Sequence, residues 1–321
     1  MRTSSAGALA GSGVVVAPEV ELALQEHTPV VALESTIISH GLPRPQNLAV
    51  ARELEQLVRD GGACPATVAV LDGVVRVGLG EEDLERIASE DAMRKLGFRD
   101  LPIAMATGAS GGTTVSAVSF VSARVGIRVF ATGGLGGVHR GWHGSWDESA
   151  DLAMLSRVRI TVVSAGVKSI LDIAATLQRL ETLNVPVVGY RTAMFPGFYL
   201  TSSGYPVEWT LGSPEQIAEV MAQREALGGP EVALLVANPV PEDHQLDPAL
   251  HDGALDDALA AAASNAVSGQ ALTPFLLDFM ARRTGGASVE ANLAAVKGNV
   301  TLGAAIACAY ERRRSSMGEG G

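Results

Sequence analysis

Short apolar runs recur along this chain with helix-period segments between them, and no other feature constrains the fold as tightly. The strand candidates are Val30–Leu33, Thr67–Leu71, Val75–Val77, Ile103–Ala106, Val129–Ala131, Ile160–Val163, Val187–Gly189 and Val232–Val236. The helix candidates are Asn47–Asp60, Glu82–Glu90, Thr113–Val125, Ser149–Ser156, Ser169–Leu183, Pro214–Leu227, Pro248–Ala263, Thr273–Arg283 and Ser288–Arg312. Strand, loop, helix and strand in succession predicts βαβ units, with helices on both faces of a sheet. Hydrophobic residues make up 47% of the chain and aromatics 4%, so Val, Ala, Leu and Ile must fill the core, as in buried parallel sheets.

No Pro/Ser linker or internal repeat divides the pattern, which reads as one domain over residues 16–312 with disordered tails at 1–15 and 313–321. A formal net charge of −11 argues against a nucleic-acid backbone partner, which would want a basic face. Cys64 and Cys308 are too few for a disulfide scaffold or a cysteine metal site. Met1–Gly13 lacks the apolar core of a signal peptide. No stretch of about 18 apolar residues runs without a glycine or polar break, so no membrane span and a cytoplasmic location are expected.

In open α/β sheets ligands bind beyond the carboxyl ends of the strands. That rule gathers Glu34, Thr107, Thr132 with Gly133, Ser164 through Lys168, and Asn238 on one rim. Lys168 follows a buried run, where neighbours that desolvate it favour its neutral amine, a nucleophile able to form an imine. The same segment accommodates a plain surface lysine at a helix start. Glu34, half-desolvated after its strand, suits a general acid or a local cap or ion pair. The Gly-rich stretch Thr107–Ala117 runs into a helix whose amides, with Thr113 and Thr114, suit a phosphate, with Lys95 as a positive partner; it also fits a simple turn. Thr132–Gly141 is a second glycine loop ending in His139 and Arg140, and Asp147 beyond it offers one oxygen donor for a hard divalent ion. Asn292 and Asn299 share a helix face, where amides read a ligand or hold helices together.

Taken together, these segments resemble the pseudouridine-5′-phosphate glycosidase family, from about Pro18 to Tyr310. The matching stretches are Val31–Gly41 with Pro45–Asn47, Ala131–Gly141, Ser149–Leu152, Ser164–Asp172, Ala237–Pro239 and Thr273–Leu277. Gly141–Trp146, with Trp142 and Trp146 before Asp147, departs from the pattern. The resemblance implies a three-layer α/β/α fold with a mostly parallel central sheet. It implies a homotrimeric, manganese-dependent lyase with one Mn²⁺ per subunit. The reaction would be reversible cleavage of pseudouridine 5′-phosphate to uracil and ribose 5-phosphate. Lys168 would be the nucleophile and Glu34 the proton donor. Lys95, Val115, Ser149, Ala150 and Asp151 would meet substrate, with Thr114, Thr132, His139 and Asn292 at further pocket positions, and Asp147 would bind the metal. Asp151 would also be placed to shuttle a second proton.

The bond in question joins ribose C1′ to uracil C5. Its rupture leaves carbanion character on C5, which the two-carboxylate route of ordinary glycosidases does not relieve and a lysine imine does. A class I aldolase-type enzyme, an N-glycosidase and a non-catalytic nucleotide binder are the competing readings.

Overall fold

A computed structural model describes residues 13–318. The first part of the chain holds β1 (Val14–Val16), α1 (Pro18–Gln25), β2 (Val30–Leu33), α2 (Gln46–Asp60), β3 (Cys64–Leu71), β4 (Val74–Val77), α3 (Glu81–Ser89) and β5 (Arg94–Leu96). Then come α4 (Leu101–Thr107), β6 (Gly111–Thr113), α5 (Val115–Val125), β7 (Val129–Ala131), α6 (Trp142–Ser145), α7 (Ala150–Leu155), β8 (Thr161–Ser164) and α8 (Ile173–Thr182). The remainder is β9 (Val187–Tyr190), β10 (Trp209–Leu211), α9 (Pro214–Leu227), β11 (Leu234–Ala237), α10 (Pro248–Ser264), α11 (Leu272–Arg283) and α12 (Ala287–Gly318).

The sheet runs β1-β4-β3-β2-β7-β8-β11-β9-β10, with β6 also on β3 and β5 on β6. From β3 through β10 in that order every pairing is parallel. The antiparallel pairs both involve the distal half of β3, which meets β4 and β6. Asp72 and Gly73, both at positive φ, make the tight turn between β3 and β4, as Asp-Gly does in two-residue hairpins.

Alternation along the strands makes the layers. Val31, Leu33, Val129, Ala131, Val163 and Val236 share one core with residues of α2, α9 and α12. Val30, Ala32, Phe130, Val162 and Leu235 face the other core, with residues of α1, α5, α7 and α10. Side chains alternate faces along a strand, so both faces are covered and the architecture is α/β/α, as expected. By length and composition Ala287–Ser316 in α12 qualifies as a membrane span, with mean hydropathy 1.3 in its apolar window, but 61% of that window is buried inside the fold. It packs there against β2, β7, β8, α2 and α9.

Ile103–Ala106 is not a strand. It lies in α4, with Pro102 in the first helical turn, Leu101 and Ala104 buried, and Ile103 63% exposed. Short apolar runs do not separate strand from helix by periodicity alone, and here one buried face is helical. Thr107 therefore ends a helix rather than a strand. The expected helix Thr113–Val125 begins at Val115, because Gly111–Thr113 is drawn into the sheet as β6. Residues 1–12 and 319–321 of the expected tails lie outside the described residues. Within them, Val14 and Val15 pair with β4 and α12 continues to Gly318.

Candidate active site

Neighbouring strands β2, β7, β8 and β11 end on one side of the sheet and deliver Glu34, Thr132–Gly134, Ser164–Lys168 and Asn238. A cavity of ≈ 430 Å³ opens there. Its wall includes Glu34, Lys95, Thr114, Val115, His139, Asp147, Ser149, Ala150, Asp151, Lys168 and Asn292. Thr36, His40, Arg99, Asp100, Phe198, Thr273, Pro274 and Leu277 also line it and were not singled out from the sequence. Of these, Thr36 and His40 lie within the Val31–Gly41 stretch, and Thr273, Pro274 and Leu277 within Thr273–Leu277.

Lys168 is half-buried in the turn after β8, well before α8 starts, so it is not a surface residue at a helix start. Its amine donates to the Gly134 carbonyl at 2.6 Å, and its backbone N–H to the Leu135 carbonyl at 3.1 Å. Leu135 and Val167 meet as a parallel bridge, which extends the β7–β8 ladder and ties the glycine loop to the lysine turn.

Glu34 accepts hydroxyl hydrogen bonds on both carboxylate oxygens, from Thr36 and from Thr132. Among the described residues it makes no ion pair. Thr132 does not line the cavity itself and reaches it through this bond. Lys95, from β5, has its ammonium held below the ordinary lysine range, first by desolvation at the cavity wall and then by the charge of Lys168, while Asp151 and Glu34 oppose the shift. Burial, and next the Lys95 charge, likewise pushes the His40 imidazole down.

Thr114 stands at the N-cap position of α5 without bonding the helix amides through its side chain, and the Thr114 and Ser116 hydroxyls lie 3.0 Å apart, so a helix start carrying hydroxyl groups faces the cavity. Asp151 is buried, and each of its oxygens already holds a backbone donor. Ser116 N–H donates to Oδ1 at 2.9 Å and Gly136 N–H to Oδ2 at 3.0 Å. Ser149 Oγ caps α7 by accepting from Asp151 N–H. Gly136 must be glycine here, since a Cβ would lie 2.2 Å from Ser149 Oγ and 2.8 Å from Asp151 Oδ2.

Asp147 Oδ2 stands 3.9 Å from His139 Nδ1, and His139 N–H donates to the Asp147 carbonyl at 3.0 Å. Burial lowers the His139 imidazole, and Asp147 works against that. No group of three or more His, Cys, Asp or Glu suited to a metal occurs among the described residues. The Trp142 and Trp146 rings meet edge-on at 5.7 Å in the turn leading to Asp147. Asn292 lines the cavity, whereas Asn299 is fully buried and hydrogen-bonded to backbone, so the two amides of one helix face serve different ends.

A lysine amine tethered at 2.6 Å, a carboxylate held by two hydroxyls and a helix start thus converge on one cavity. The set suits attack by an amine on an electrophilic carbon, with acid assistance, in an anionic ligand.

The family described as indigoidine synthase A like protein matches residues 19–309. A Streptomyces griseus subsp. griseus protein named pseudouridine-5′-phosphate glycosidase is 67% identical over 295 residues, covering 92% of this chain and 91% of that protein. A Frankia alni protein of the same name is 57% identical, covering 95% of this chain and 84% of its own. Among solved structures, the prealnumycin C-glycosynthase AlnA in complex with ribulose 5-phosphate superimposes with TM-score 0.87 at 34% identity, covering 94% of this chain and 98% of that one. An indigoidine synthase A-like protein from Thermotoga maritima gives TM-score 0.84 at 36% identity, covering 93% and 97%.

Proposed function

We propose that this chain, which belongs to the indigoidine synthase A-like protein family, is a pseudouridine-5′-phosphate glycosidase that cleaves the C1′–C5 bond to give uracil and ribose 5-phosphate. One observation carries the reading: Lys168 and Glu34, from strands separated only by β7, line the same cavity in a chain 67% identical to a protein of that name.

The neutral Lys168 amine adds to C1′ as the C1′–O4′ bond breaks, and Glu34 gives O4′ its proton. That nitrogen then gives up a proton, and its freed lone pair forms a C1′ iminium while the C1′–C5 electrons leave with uracil, whose C5 takes up a proton in exchange. Water adds to the iminium and frees ribose 5-phosphate and the lysine. In this scheme the Gly134 carbonyl holds the Lys168 amine in place, and Thr36 with Thr132 hold Glu34. Lys95, Val115 and the Thr114 helix start take the 5′-phosphate. Ser149, Ala150, His139 and Asn292 bound the rest of the substrate. Asp151, engaged by two backbone N–H groups, fixes the start of α5 against the glycine loop. The relative solved with ribulose 5-phosphate, an open-chain pentose phosphate, supports a pentose-phosphate cradle in this fold.

Asp147 and His139 offer one oxygen and one nitrogen donor to a divalent ion. That donor set fits Mn²⁺ or Mg²⁺ keeping several waters, not a protein-enclosed cage. When bound, the ion would supply positive charge beside the substrate. One Mn²⁺ per subunit, a homotrimer and a cytoplasmic location complete the proposal and rest on the family resemblance.

Release of uracil from pseudouridine 5′-phosphate, with and without Mn²⁺, tests the reading. Borohydride should trap a ribose-phosphate adduct on Lys168, and Lys168→Ala should abolish both adduct and turnover. Uracil released from uridine 5′-phosphate with no trapped adduct would overturn it in favour of an N-glycosidase.

A further inference from the structure

Asn299 is 0% exposed, stands behind the cavity wall in α12, and has no place in the chemistry above. Its amide hydrogens go to two successive carbonyls, Thr132 O at 2.8 Å and Gly133 O at 3.3 Å. Its own oxygen accepts from Asn238 Nδ2 at 2.9 Å, at the end of β11. The peptide it grips is also held from the sheet side, since Thr132 N–H donates to Val163 O at 3.0 Å and Ala165 N–H to Gly133 O at 2.8 Å. The Thr132 hydroxyl in turn donates to Glu34. A buried amide spends its desolvation cost only where its bonds hold a definite geometry.

We propose that Asn299 is a positioning residue for the glycosidase reaction, acting through the Thr132–Gly133 peptide to aim the Thr132 hydroxyl at Glu34. The inference rests on the functional reading above and adds a residue that touches neither substrate nor the reacting atoms. Without the Asn299 side chain the two carbonyls lose their outer anchor. Thr132 then samples positions in which its hydroxyl no longer orients the carboxylate, and proton delivery slows while substrate binding stays as it was.

Steady-state uracil release by wild type, Asn299→Ala, Thr132→Val and the double variant, beside their thermal melting, decides the matter. Wild-type turnover tests the functional reading separately, because a silent wild type sinks that reading whatever the variants do. With wild type active, Asn299→Ala should lower kcat about tenfold with KM within about twofold, and the double variant should fall little below Thr132→Val alone, as coupled residues do. A lower melting temperature with unchanged kcat, or losses that multiply in the double variant, would make Asn299 merely structural and refute the proposal. Should Asn299→Ala fail to fold, Asn238→Ala frees the other end of the same amide. A fall in kcat at constant KM then supports the proposal, and an unchanged kcat overturns it.

Discussion

Gly134→Ala adds one methyl group to the loop that holds the lysine. A Cβ at Gly134 would lie 2.5 Å from Cδ2 and 2.6 Å from Cε2 of Phe198, where ordinary contact needs 3.4–4 Å. Phe198 has little freedom to yield: it is fully buried, its N–H is bonded to Ala165 O at 3.1 Å, and its φ of 66° is already unusual for a non-glycine residue. The Gly134 backbone must therefore retreat by about 1 Å, a displacement that costs about 10²-fold in rate when it falls on reacting groups. Its carbonyl now sits 2.6 Å from Lys168 Nζ. After that retreat the gap approaches about 3.6 Å, at which no hydrogen bond remains. We expect kcat for uracil release to drop about 10²-fold and stability to fall by about 1–3 kcal/mol from overpacking. Gly253→Ala, inside α10 with nothing within 4 Å of the added methyl, serves as the control. It should leave turnover unchanged and stabilise by about 0.5–1 kcal/mol. A Gly134→Ala enzyme that melts lower yet keeps wild-type kcat would refute the link from the Gly134 carbonyl to the lysine.

Asp151→Asn turns an amide NH₂ toward Ser116 N–H or Gly136 N–H, leaving a buried donor without an acceptor, at a cost of about 1–3 kcal/mol in urea unfolding; an unchanged midpoint contradicts the clamp. Burial, and next the charge of Glu19, pushes the Cys64 thiol from 9.0 up to about 11. The unfolded chain loses that proton first, so stability should fall as pH rises from 9.0 toward about 11. Cys64→Ala should flatten that slope, and superimposable stability curves for the two proteins would count against the buried thiol. Mn²⁺ should raise both turnover and melting temperature of the wild type, whereas Asp147→Ala should lose the two responses together; a variant that still responds places the ion elsewhere.

The site was legible in outline because residues following buried strands sit at strand ends wherever the sheet is parallel. Glu34 and Lys168 were placed on that rim and both line the cavity, while Thr132 meets it only through its bond to Glu34. The clamp that Asp151 makes was not legible, because the backbone amides of Ser116 and Gly136 that it holds meet it only through tertiary packing. Asn299 looked like the twin of Asn292 in sequence. They part company because one faces the cavity and the other the loop after β7.

Local pattern settled which segments extend and which coil: four consecutive apolar residues at Val30–Leu33 have few other uses, and helix α2 carries its own apolar stripe. The same local information failed at Ile103–Ala106, where a short run is compatible with either state. It was silent on the three-residue strands β1, β5, β6 and β10, which exist only because a partner lies alongside. Strand order belongs to the same class. That β2 lies between β3 and β7, and β8 beside β11, is a matter of tertiary pairing, made where helices cover both faces of the sheet. Hydrogen bonds between distant segments close only once those faces are buried, and in this protein that closure brings an amine and a carboxylate to one cavity.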